Sequence, residues 1–128
     1  MSKLLCSCGH VIVDQTDDLP YKARLVRDSD AGEFLEAVAA GAAGLADSVA
    51  NGTVEQRVDT AFGSGYPRDL GTADMFSDFV TGEDLKIRRD VYQCEKCGRL
   101  YVEEGPGTNT FFGFSPDEGT PKAVFRKR

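Results

Sequence analysis

The chain has 128 residues, a size that fits one domain, and its 41% hydrophobic and 28% charged residues are ordinary globular usage. It has no run of about 18 apolar residues, so no membrane-spanning helix is expected. No apolar segment of signal-peptide length follows the N-terminus, which makes the cytoplasm the expected location. The net charge of −6 is unevenly spread: residues 28–85 hold twelve acids against Arg57 and Arg68, a net of −10, while the flanks together carry +4.

In chain order, residues 1–13 read as a hairpin, with Leu4-Leu5 leading into Cys6-Ser7-Cys8-Gly9 and Val11-Ile12-Val13 leading out. A polar loop follows from Asp14 to Pro20, and the alternation in Tyr21 to Val26 predicts a strand. Asp30 to Ala50 predicts the clearest helix, capped by Asp30 with Glu33 three residues on. Its expected buried stripe is Leu35, Val38, Ala42, Leu45 and Val49. Gly41 and Gly44 interrupt it, at about 1 kcal/mol each relative to Ala, and close packing of another element or local flexibility would account for them. Asn51-Gly52 ends the helix.

Thr53 and Gln56 form a capping pair for a second short helix that buries Val54, Val58 and Phe62 and stops at Gly63. Residues 63–71 form a loop, and Thr72 to Val80 predicts a third helix burying Phe76, Phe79 and Val80. Strands are expected at Lys86 to Gln93, Leu100 to Val102, Thr110 to Phe114 and Ala123 to Phe125. The fold class is therefore α+β: a small antiparallel β core built from both chain ends (1–27 and 86–128), with an acidic helical insert at 28–85, in one domain.

The strongest chemical signal is the cysteine spacing. Cys94-Glu95-Lys96-Cys97-Gly98 is a C-x-x-C-G turn between two predicted strands, and Cys6-Ser7-Cys8-Gly9 is a second pair also followed by Gly. The four cysteines form two pairs with none left over. In a reducing compartment this argues for a metal held by Cys6, Cys8, Cys94 and Cys97. Four soft thiolates favour one structural Zn2+, with iron as the competitor. His10 is an alternative ligand in place of Cys6 or Cys8. Thiol–disulfide chemistry would need a low-pKa thiolate at a helix N-terminus, whereas Gly98-Arg99-Leu100-Tyr101-Val102 reads as a strand.

On these two knuckles the chain resembles the rubredoxin-like zinc-ribbon group. The opening and the Tyr92-to-Val102 stretch are also similar to small uncharacterised bacterial proteins with cysteine pairs near both ends. The resemblance covers about a third of the chain, and it implies a ribbon used for binding or stability rather than catalysis. Two features depart from the usual ribbon: the single residue between Cys6 and Cys8, and the long insert between the pairs.

The remaining signals are weak. Gly63-Ser64-Gly65-Tyr66-Pro67 lacks the Lys of a phosphate loop. The single histidine leaves no Ser-His-Asp or Cys-His group in view. The basic tail, Lys122 and Arg126-Lys127-Arg128, is short on an acidic chain, which argues against a nucleic-acid partner. The leading expectation is a non-enzymatic zinc protein. Its acidic insert, represented by Asp69, Asp74, Asp78, Glu83 and Asp84, would bind a basic protein partner, as an immunity or antitoxin protein does a toxin. The alternatives are a zinc ribbon acting in transcription or translation, and a metal- or thiol-dependent enzyme.

Overall fold

The computed structural model describes residues 2–118 and 123–126. The fold is α+β, with strands from both ends of the chain and helices in the middle. Contacts divide it into two compact units, residues 1–26 with 88–128, and residues 27–87. No described helix is long and apolar enough to cross a membrane.

The first unit holds the strands. β1 (Ser2–Leu5) pairs antiparallel with β2 (Val11–Asp14), Leu4 opposite Ile12. A separate antiparallel sheet has the order β3 (Lys22–Leu25), β4 (Arg89–Gln93), β5 (Leu100–Glu103), β6 (Phe111–Phe114). Tyr92 and Tyr101 are register partners on β4 and β5. Because side chains alternate across a strand, both point to one face. There they join Cys6, Ile12 and Cys94 in the buried core, with Leu4, Tyr21, Cys97 and Phe111 packed around it.

Asp14, at the end of β2, ties the hairpin to the sheet. Its Oδ2 accepts from Lys22 Nζ and from the Tyr92 hydroxyl, both at 2.5 Å. Burial works against the Asp14 carboxylate, but these two donors outweigh it and hold its pKa below the usual range. Burial and the same carboxylate push the Tyr92 hydroxyl up. Buried Glu103 closes the β5–β6 turn by accepting the backbone amides of Asp90 at 3.0 Å and Asn109 at 2.9 Å.

Two strand expectations shift. Lys86 and Ile87 do not begin β4, because their amides donate to Glu83 and Asp84 carbonyls in the closing turn of the preceding helix. Residues 123–126 form a turn in place of the expected strand, with the Arg126 amide donating to the Ala123 carbonyl at 3.4 Å. Apart from Arg126, the basic tail lies outside the described residues.

The second unit is α1 (Asp28–Asn51), α2 (Val54–Phe62) and α3 (Thr72–Leu85). Gly52 ends α1 at φ +70°, the left-handed conformation that glycine adopts without a Cβ penalty. Asp30 does not cap α1. The helix starts two residues earlier, and the Asp30 carboxylate pairs with Arg27 at 2.7 Å. Thr53 stands at the α2 cap position without a side-chain cap bond. α2 buries Val58, with Val54 and Phe62 partly covered. α3 runs through Gly82 to Leu85, beyond the expected end at Val80.

The covered face of α1 differs from the expected stripe. Gly41 and Ser48 are buried, with Phe34, Val38, Gly44 and Leu45 half-buried along the same face, whereas Leu35, Ala42 and Val49 are exposed. Ser48 tolerates burial because its hydroxyl donates to the Gly44 carbonyl one turn back, at 2.8 Å. The two interior glycines mark the closest approaches. A Cβ on Gly41 would overlap the Phe79 ring, and one on Gly44 would overlap the Arg57 guanidinium.

This inverts the usual helix rule. Gly82→Ala, where an added Cβ meets nothing within 4 Å, should stabilise the protein by up to about 1 kcal/mol. Gly41→Ala should instead destabilise it by about 1–3 kcal/mol, because a flat ring cannot swing aside as a guanidinium can. Urea unfolding followed by far-UV circular dichroism distinguishes the two, and equal stabilisation by both would refute the packing account.

Candidate metal centre

Each cysteine pair sits on a tight turn that leaves a strand. In the first, the Cys6 amide donates to the His10 carbonyl at 2.8 Å and the Gly9 amide donates to the Cys6 carbonyl at 2.9 Å. In the second, the Cys94 amide donates to the Arg99 carbonyl at 2.9 Å and the Gly98 amide to the Cys94 carbonyl at 2.8 Å. The two turns thus make the same pair of backbone bonds, with the first closing one residue sooner. Each needs a residue at positive φ directly after its second cysteine. Gly9 (φ +93°) and Gly98 (φ +78°) fill that position. The short Cys6-x-Cys8 spacing is therefore a shortened version of the same knuckle.

The turns bring all four predicted ligands together. The sulfur atoms of Cys6, Cys8, Cys94 and Cys97 lie within 4.8 Å of one another. Cys6 Sγ is 3.5 Å from Cys97 Sγ, and Cys8 Sγ is 3.6 Å from Cys94 Sγ. Each short contact joins one knuckle to the other. Four sulfurs around a tetrahedral zinc with bonds of about 2.3 Å would sit about 3.8 Å apart, so this set fits such an ion. His10 is not part of the set.

The surroundings favour the thiolate at Cys6 and oppose it at Cys94 and Cys97. Burial opposes charge on Cys6, but donation by the Cys8 amide, the Tyr101 hydroxyl and the neighbouring thiols outweighs it and brings its thiol down to about 6. Burial dominates at Cys94 and pushes its thiol up to about 12, although the Cys97 and Lys96 amides point at the sulfur. The Arg99 amide points at the Cys97 sulfur, yet burial and the neighbouring thiols leave that thiol raised as well. A bound dication reverses the cost of charge on all four, since metal binding releases the thiol protons. Cys6 and Cys94 are each only 1% exposed, while Cys8 is exposed.

Tyr101 is the residue that the sequence reading missed. Its hydroxyl accepts the Ser7 amide at 3.0 Å and helps to lower the Cys6 thiol, so it fixes the first knuckle from β5. The signal was its inward place in the alternation of β5, next to the second knuckle.

The five predicted acids do not converge in this way. Asp69 and Asp74 are exposed, Asp69 in the loop before α3 and Asp74 in its first turn. Asp78 accepts the Tyr66 hydroxyl at 2.5 Å, and Glu83 pairs with Lys86 at 2.9 Å. Asp84 is half-buried and already engaged. Among the described residues, the four cysteines are the only group whose ligand atoms converge closely enough to hold a metal.

Fold and site together define an α+β protein whose β unit is centred on a four-cysteine cluster able to hold a metal ion. The chain belongs to a family described as a domain of unknown function (DUF8617), whose model matches residues 2–118. No curated protein and no solved structure matches it. The family match identifies no zinc ribbon, so that resemblance stands on the two knuckles alone.

Proposed function

We propose that the protein is a non-catalytic zinc protein, with one Zn2+ held by Cys6, Cys8, Cys94 and Cys97 as the staple of its β unit. The observation that carries this reading is the convergence of four sulfurs, drawn from residues up to 91 apart in sequence, two of them in the buried core. Structural zinc in small sites contributes ~10–16 kcal/mol of apparent binding free energy. Such a contribution is needed where the fully buried side chains of the unit are themselves two cysteines. A four-thiolate site leaves no position for water, which supports a structural role over a catalytic one. Metal analysis of the purified protein should find one zinc per chain, and Cys94→Ser should lose both the metal and the dispersed NMR signals of the β unit. Less than half an equivalent of metal would sink the reading.

The working surface is assigned to the acidic residues of 28–85, with a basic protein as partner. The charge of that stretch supports it, together with the exposure of Glu33, Glu36, Asp47, Asp69 and Asp74. Such a field accelerates association with a cation-rich surface. Neutralisation of a basic toxin is the narrower form of this reading, and it rests on the charge alone. A pull-down from the native host should capture a basic protein. Reversal of Asp69, Asp74, Asp78, Glu83 and Asp84 to Lys should abolish capture, and undiminished capture would rule out the acidic surface.

A further inference from the structure

The helical unit contains an apolar pocket that the metal reading does not use. It is a recess of about 50 Å³ that is partly open to solvent. Its walls are Leu45 of α1, Val58 and Phe62 of α2, and Met75, Phe76 and Phe79 of α3. One polar side chain reaches it, that of Arg57. Arg57 also borders a second, shallower depression lined by Thr53, Gln56 and Thr60 on the same face of α2. A guanidinium therefore stands on the boundary between an apolar recess and a polar one.

That guanidinium lacks a counter-charge. Its one hydrogen bond runs from Nη2 to the Gly41 carbonyl at 3.5 Å, the long limit of such a bond. Among the described residues no carboxylate pairs with it, although residues 28–85 hold twelve acids. The other arginine of that stretch, Arg68, is paired with both Asp59 and Glu55. α1 also carries glycine at position 44, where any Cβ would overlap the Arg57 guanidinium. The local sequence thus makes room for a half-buried cation and leaves it unneutralised.

We propose that this pocket binds a small amphipathic monocarboxylate, with its carboxylate on Arg57 and its apolar tail among Leu45, Val58, Phe62 and Phe79. The planar guanidinium fork matches a carboxylate through two parallel N–H···O bonds. Thr53 and Thr60 line the adjoining polar depression that Arg57 also borders. A single positive charge in a strongly acidic stretch favours a monoanion over a phosphate dianion. The enclosed space is small, so it would take part of a short aliphatic chain, with the remainder lying in the open mouth of the recess. The proposal is independent of the zinc reading, since every residue in it belongs to 27–87.

The test is an amide NMR titration of the full chain with octanoate, with 1-octanol and acetate as comparisons. Octanoate should shift the signals of Leu45, Val58, Phe62 and Phe79. Octanol, which lacks the charge, and acetate, which lacks the tail, should each bind about tenfold or more weakly. Arg57→Met should weaken octanoate by a similar factor, while Arg57→Lys, which keeps the charge without the fork, recovers only part of the binding. Equal binding of octanol and octanoate to the unaltered chain would overturn the proposal whatever the variants do. So would the absence of any shift at these residues up to the solubility limit.

Discussion

Four sulfur atoms within 4.8 Å of one another can all carry charge only if a cation sits among them. The β unit depends on that constraint. Its buried core consists of Cys6, Ile12, Tyr92, Cys94 and Tyr101, so two of five core side chains are would-be ligands. A two-stranded hairpin is marginal by itself, and β1–β2 forms a sheet separate from the other four strands. Cross-knuckle sulfur contacts, the Tyr101 bond to Ser7 and the Asp14–Tyr92 bond fasten that hairpin to residues 78 to 94 positions away, and Lys22 adds a local tie to Asp14. Closing so long a loop through weak contacts alone carries a large entropic cost, which metal ligation offsets.

The helical residues follow a different logic. They bury no side chain as completely as Cys6 or Cys94, and their closest packing is achieved by leaving side chains out. Glycine at 41 admits the Phe79 ring and glycine at 44 admits Arg57. The same sparse packing leaves the apolar recess beside Arg57. Stability and a candidate ligand site are thus separated along the chain. The cysteines hold the first unit, and the recess belongs to the second.

What could be read from sequence divides along the same line. The knuckles are local: a cysteine pair, a glycine, and strands on either side define the turn before any tertiary contact, so the four sulfurs and most strands were visible. The shared backbone bonds also explain why one residue fewer between Cys6 and Cys8 leaves the geometry intact. The α1 face was misassigned because alanine gives little contrast between sides. Leu35 and Val49 suggested the stripe and are exposed, whereas the buried face centres on Gly41 and Ser48. Glycine and serine carry no hydrophobic signal, and only the partner helix shows why they are there. Asp30 was read as a cap for the same reason: its pairing with Arg27 depends on where the helix starts.

The most direct test of the central claim is X-ray absorption spectroscopy at the zinc edge on the purified, metal-loaded protein. Ligation by Cys6, Cys8, Cys94 and Cys97 predicts four sulfur scatterers at about 2.3 Å and no nitrogen or oxygen in the coordination sphere. A sphere of three sulfurs with one nitrogen or oxygen, or fewer sulfurs, would contradict it.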